Sequence, residues 1–344
     1  MLRRFRPWAA VAFTLLVALD PASALAAGHR ALSSWAQTVA PALLPFMVVL
    51  PALTGPEMRR ALGRPLGRLM RPLFGCPGEA AAAAAIGWLA GSPAGAAAMA
   101  HMADGMTRAE LTRGALLASG ASPMFLLSAV GAGMLGAPVA GWLLVRAQLG
   151  AVLIAGLALR RAPLAGDMPA GPAEPEGDAE VRPVRAAVLN VLFIGGYMAF
   201  FAVLARQAAL LMGGRMEAPL LMVMELAGGC EAAAALPIGL NDRLVLTGAI
   251  AAFGGASVFM QCMAYLRRLG VSPAGYLAGK LMQALVAAAL VRVQLQVLTA
   301  MPAAMPAATV GRRGDPAAIA ALIAAGLLLL AMAAAALRWR GPEK

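Results

Sequence analysis

A chain of 344 residues that is 61% hydrophobic and only 13% charged carries more apolar surface than a soluble domain of that size can hide, so it is an integral membrane protein. Its net charge of +12 does not point to nucleic acid, which needs Lys and Arg gathered on a solvated face beside stacking aromatics; here the arginines punctuate apolar stretches, as basic residues do when they hold loops on the cytoplasmic side of a membrane. Cys76, Cys230 and Cys262 are unpaired in spacing, and only His29 and His101 are present, so neither a disulfide framework, a metal site, a histidine triad nor a cofactor is indicated.

In chain order, Arg3, Arg4 and Arg6 precede an apolar run from Pro7 to Leu19 with "SALAA" after it, a pattern shared by signal peptides. A retained anchor helix over residues 1–30 is the expectation, since the rest of the chain is polytopic, with a cleaved leader as the competitor. Spans are predicted at about 7–26, 39–55, 112–135, 137–159, 186–212, 244–266, 272–295 and 316–337. Two further stretches, 77–102 and 217–241, are apolar but broken. Between the second span and the first broken stretch, "EMRRALGRPLGRLMRPLF" places Met58, Leu62, Leu66, Leu69 and Leu73 on one face and arginines on the rest, the pattern of an interfacial helix bent by Pro65 and Pro72. His101 and Asp104, one turn apart, read as an interfacial pair at the end of a hairpin. Residues 161–185, rich in Pro, Gly, Ala and acids, form a cytoplasmic linker.

The linker divides two halves of the same plan, 31–160 and 186–296, with residues 297–344 as a C-terminal helix and tail. Each half offers a span, a broken stretch, a span interrupted by small polar residues, and another span. Gly91, Ser92 and Pro93 precede "SGASP" (119–123), while Gly228, Gly229 and Cys230 precede "GGAS" (254–257). Ser119 follows Gly91 by 28 residues, and Ser257 follows Gly229 by the same 28. If both broken stretches are re-entrant hairpins, the cytoplasmic loops collect most arginines, from Arg59 to Arg71, Arg108, Arg113, Arg160, Arg161, Arg182, Arg185, Arg267, Arg268, Arg338 and Arg340. The far side keeps Arg30, Arg215, Arg243, Arg312 and Arg313. The hairpins then enter from opposite sides, both termini are cytoplasmic, and the repeats are inverted; reading either stretch as a full helical pair gives the same charge balance.

Backbone that leaves the helix at membrane depth survives only when buried in protein or facing a polar cavity. Inverted repeats with discontinuous helices near the midplane form the architecture of secondary transporters, where half-helix N-termini face anionic groups of the solute. The expected class is therefore an all-α polytopic membrane protein with two inverted repeats, re-entrant hairpins and discontinuous helices; close packing or a kink is the competing use of such Gly and Pro residues. The candidate solute contacts are Gly91, Ser92, Pro93, Gly95, Ser119, Ser122, Gly228, Gly229, Cys230, Ser257, Gln261 and Lys280. Glu225 and Glu231, costly at membrane depth, are candidates for carrying a coupling proton or holding a cation such as sodium. The alternative is a structural pair with Arg206, Lys280 or Arg292. Lys280 is the interior cation best placed to meet a carboxylate, or else Glu225's partner; Arg146 can snorkel.

At these residues a resemblance enters. "MRPLFGCPG", "AGSPAGA", "TRAEL", "SGASPMFL", "ELAGGCE" and "FGGASVFMQ", in that order between about Ala31 and Val291, resemble the YlbJ-type sporulation integral membrane proteins with paired nucleoside-recognition (Gate) repeats. The resemblance implies a relative of concentrative nucleoside transporters in the outer forespore membrane, moving dipicolinate toward the spore. It also implies contacts at 91–95, 119–123, 225–231, Ser257 and Gln261. This chain departs from the family at Ser92, Ala97, Ser119, Ser122 and Phe259, where an aromatic, a basic residue, two asparagines and a histidine are usual. Dipicolinate, a planar dicarboxylate, suits hydroxyls, freed N–H groups and a cation, which Ser92, Ser119, Ser122, Ser257 and Lys280 supply. A nucleoside wants amides and stacking, of which Gln261 and Phe259 are a thin version. The partners expected are the lipid bilayer and a small anionic solute, with a second copy or other sporulation membrane proteins as further ones. A non-transporting assembly or signalling protein of the spore envelope is the alternative from another class. An enzyme is disfavoured because no nucleophile, base and orienting group converge in the sequence.

Overall fold

The computed structural model describes residues 2–55, 66–162 with Leu164 and Met168, and 182–300. The expected span 316–337, most of the linker 161–185, and Met58, Leu62 and Pro65 of the interfacial helix lie outside these residues. Five described helices are long and apolar enough to cross a membrane, and six if the bent pair Leu66–Phe74 and Glu79–Ala90, at 80° to one another, makes one span. The chain clusters as one unit over Met1–Leu295, which takes in both halves seen in the sequence.

The N-terminus corrects the sequence reading. A loop is expected between spans 7–26 and 39–55, yet the chain is helical from Pro21 to Thr54. Helix α1 (Leu2–Leu19) ends at Asp20, whose carboxylate accepts the Ser23 N–H at 3.1 Å and caps α2 (Pro21–Ser34). Asp-Pro at an N-cap and first turn is a strong start signal, whereas residues 27–38 contain no comparable stop. A π-helical turn, Trp35–Val39, joins α2 to α3 (Ala40–Thr54). It is pinned to α9 (Arg182–Leu211): the Trp35 indole N–H donates to the Val191 carbonyl at 2.9 Å, and its ring lies over Gly195.

Helix α4 (Leu66–Phe74) buries Leu69, Met70 and Phe74 while Arg68 and Arg71 face outward, the amphipathic half of the expected interfacial segment. Helices α5 (Glu79–Ala90) and α6 (Ser92–His101) follow. Gly91 between them has φ 101°, a conformation that L side chains avoid, and Gly87 lies against Gly95. The chain therefore reverses at Gly91, as a hairpin. Thr107 and Glu110 form a reciprocal capping box at the start of α7 (Arg108–Leu117), as "TRAE" dictates. Beyond α7 the backbone is irregular to Ser122, helical from Pro123 and π-helical over Phe125–Met134, and returns as α8 (Pro138–Leu159) with Gly131 against Gly141.

The second half runs α9, α10 (Glu217–Met224), α11 (Leu226–Ala234), α12 (Leu240–Phe253), α13 (Gly255–Leu266) and α14 (Pro273–Ala300). Glu225 is extended between α10 and α11, and Gly229 packs on Met222, so this chain segment also reverses. Gly254 is left-handed between α12 and α13. Ala151, Ala252 and Ala287 are fully buried together, small residues that let α8, α12 and α14 approach closely.

Candidate functional site

Four helix interruptions are thus present: Gly91, 118–122, Glu225 and Gly254. Three fall where the sequence places them. The fourth moves from Gly228-Gly229-Cys230 to Glu225, because the carboxylate supplies what the glycines do not. Its Oε1 accepts the Ala227 N–H at 3.2 Å and its Oε2 the Gly228 N–H at 2.6 Å, so Glu225 is the N-cap of α11 and the glycines form that helix's first turn.

The interruptions brace one another in pairs. In the first half the Ser92 N–H and hydroxyl donate to the Gly120 carbonyl at 2.8 and 3.1 Å, and the Ser92 hydroxyl oxygen accepts the Gly120 N–H at 2.8 Å. Gly87 and Gly95 both pack on the Ala118 carbonyl. In the second half Gly255 packs on the Met224 carbonyl and the Glu225 N–H. Each hairpin tip therefore sits against the broken helix of its own half. Ser92→Ala leaves the buried Gly120 N–H without its acceptor, which costs about 1–3 kcal/mol. The expected outcome is a lower melting temperature in detergent, with Ser92→Thr, which keeps the hydroxyl, closer to the parent.

All four interruptions wall one cavity of about 520 Å³. Of the residues expected at a site, Gly91, Ser92, Pro93, Ser122, Glu225 and Gln261 line it. Gly95, Ser119, Gly229, Cys230 and Ser257 lie in the packing behind the wall: Ser257 is fully buried and accepts from the Gln261 amide at 3.1 Å. Gln37 and Thr38 from the π-turn and Ser128 from the π-helical segment also line the cavity. The sequence reading misses these three; a polar Gln-Thr pair inside an apolar helix was the available signal. Among the described residues the wall carries one ionisable side chain, Glu225. Against that single carboxyl stand the N-terminal ends of α6 and α13, neither with a side-chain cap, whose residues Gly91, Ser92 and Gly254 line the cavity; α6 contributes its dipole there, since the Ser92 N–H is taken by the Gly120 carbonyl.

Glu225 also borders a second cavity of about 350 Å³, with Gly228, Glu231, Arg30 and Glu217. Glu217 pairs with Arg206 at 2.5 Å and with Arg30 at 3.7 Å, and Arg292 pairs with Asp242 at 3.1 Å. Of the suggested partners of Glu225, Arg206 and Arg292 are therefore engaged elsewhere. Lys280 is too: its ammonium donates to the Ser119 hydroxyl at 3.3 Å and the Gln283 carbonyl oxygen at 3.1 Å. Ser119 and Lys280 have the spacing of a serine–lysine dyad, but both are buried. The small cavity that Ser119 borders is about 10 Å³, room for a water and not for a substrate.

The chain is similar to "Sporulation integral membrane protein YlbJ" of Bacillus subtilis (strain 168), 26% identical over an aligned length of 328, with 81% of this chain and 79% of that protein covered. No protein-family profile matches the chain, and no solved structure does. Together with the five apolar helices, the similarity places the chain as a multi-pass membrane protein with a sporulation membrane protein among its relatives.

Proposed function

We propose that this chain is a sporulation membrane transporter that moves dipicolinate across the outer forespore membrane toward the spore by alternating access. The observation that carries the proposal is the convergence of four helix interruptions on one cavity, since irregular backbone within a membrane protein survives when it is buried in protein or lines a polar cavity, and here it lines one. The matched pairing of hairpin tip and broken helix in the two halves supports the inverted Gate-type repeats and the relation to concentrative nucleoside transporters. A volume of about 520 Å³ suits a small planar molecule. An aromatic dicarboxylate finds there the α6 and α13 N-termini and the hydroxyls of Thr38, Ser122 and Ser128. It also meets Glu225, and a carboxyl beside a solute dianion is favoured in its protonated, neutral form. Entry of the anion is therefore tied to a proton on Glu225, which makes the proton the coupling ion.

A second reading, a nucleoside or other neutral solute, is favoured by the same wall: Gln37 and Gln261 offer amides, and no described lining residue is Lys or Arg. Uptake of labelled dipicolinate into proteoliposomes, with uridine in excess as competitor, separates the two. Saturable dipicolinate uptake that is driven by an imposed proton gradient and indifferent to uridine is the expected result. Uptake of uridine instead assigns the cavity to neutral solutes. Folded protein that takes up neither under any gradient turns the reading to an assembly or signalling role.

A further inference from the structure

The chain contains 26 arginines and two lysines, Lys344 at the last position and Lys280 in its interior. Lys280 is 2% exposed. A buried ammonium costs several kcal/mol unless something compensates it, and among the described residues no carboxylate pairs with it. Its ammonium donates to two neutral oxygens, the Ser119 hydroxyl at 3.3 Å and the Gln283 amide carbonyl at 3.1 Å. Both are fixed by one further oxygen: the Leu116 carbonyl accepts from the Ser119 hydroxyl at 2.7 Å and from the Gln283 amide N–H at 2.9 Å. Leu116 lies in the last turn of α7, where the carbonyls of a helix end carry a partial negative charge. Neutral hydroxyl and carbonyl oxygens at a negative helix end make the ligand set of a small monovalent cation. A lysine suits it because its ammonium is a compact point charge, and an arginine fork does not. The residues that follow, Gly120 to Ser122, are the wall of the main cavity.

We infer that the Lys280 ammonium stands in for a bound monovalent cation, holding the interruption after α7 in shape so that this half of the site needs no sodium. The oxygens of Ser119 and Gln283 would take sodium, potassium or ammonium if the tethered charge were removed. The inference deepens the transport reading by assigning which half of the site is free of a coupling cation, but its first test does not depend on that reading.

That test is thermal stability in detergent at fixed ionic strength, in choline, sodium, potassium or ammonium chloride. The wild-type protein is expected to melt at the same temperature in all four. Lys280→Ala is expected to melt lower in choline and to regain about 5 °C or more, saturably, in a small monovalent cation, because a ligand that binds only the folded state stabilises it. If Lys280→Ala is too unstable to purify in choline, recovery of a monodisperse species in sodium, potassium or ammonium supports the inference. Failure in all four salts overturns it. A saturable sodium shift in the wild type, or a variant indifferent to every cation, also overturns it. In proteoliposomes at a fixed proton gradient, wild-type uptake of dipicolinate should not change when choline replaces sodium, and the variant's uptake should recover only with a small cation. A stable, cation-responsive variant in a protein that transports nothing keeps the cation site and removes the transport reading.

Discussion

Glu225→Gln is expected to lower proton-driven dipicolinate uptake about 100-fold while leaving the protein folded, because an ionisable group at membrane depth is removed and its space is kept. Glu225 caps α11 with both oxygens, at 3.2 and 2.6 Å from their N–H donors. Glutamine retains one acceptor and turns an amide donor toward the other N–H, so a stability cost of about 1–3 kcal/mol accompanies the change. The melting temperature of purified protein measures that part. The proton gradient separates the rest: residual uptake by Glu225→Gln should no longer respond to it. Unchanged, gradient-driven uptake in this variant would assign proton coupling to another group.

Gly95→Val should prevent the first hairpin from closing. A Cβ at Gly95 overlaps the Ala118 carbonyl oxygen and comes within 2.9 Å of the Gly87 Cα. Both neighbours are backbone, so neither moves without displacing the hairpin tip or the interruption behind it. Overpacking of that kind costs about 3 kcal/mol or more, and the expected outcome is loss of the monodisperse peak in size-exclusion chromatography. Gly196→Ala is the matched control: it lies in α9, is exposed, and has no atom within 4 Å of a new Cβ. Its elution should not change. Normal elution of Gly95→Val would mean that α5 and α6 do not meet at these glycines.

Interruptions were legible in the sequence where they are made of backbone chemistry. Gly91 before Ser-Pro and the Gly254-Gly255 pair are needed at positive φ, and no other residue type serves as well, so composition alone marks them. The Glu225 interruption is built by a side chain that folds onto the N–H groups of its own helix. Three small residues, beginning three positions later at Gly228, are the stronger break signal by composition. The loop expected before residue 39 is absent because its end signal, Asp20-Pro21, sits almost twenty residues earlier. The π-turn at Trp35–Val39 has no composition of its own; it depends on the Trp35 bond to Val191 and on Gly195, 156 residues or more along the chain. Gln37 and Thr38 could not be placed in the cavity without that long-range contact. Lys280 stood out by its type, but only the positions of Ser119 and Gln283 show that it faces neutral oxygens behind the wall.

The claim that the four interruptions enclose a solute site is tested most directly by protection from thiol labelling. Ser122, at the cavity wall, is replaced by cysteine in protein whose buried Cys76, Cys230 and Cys262 are alanine. A second cysteine variant at Met212, which is 55% exposed in the turn after α9, serves as reference. Dipicolinate should slow maleimide labelling of the Ser122→Cys protein severalfold in reconstituted vesicles and leave Met212→Cys labelling unchanged. Labelling at Ser122→Cys that neither dipicolinate nor uridine alters, in protein that takes up either one, would place the solute path elsewhere in the molecule.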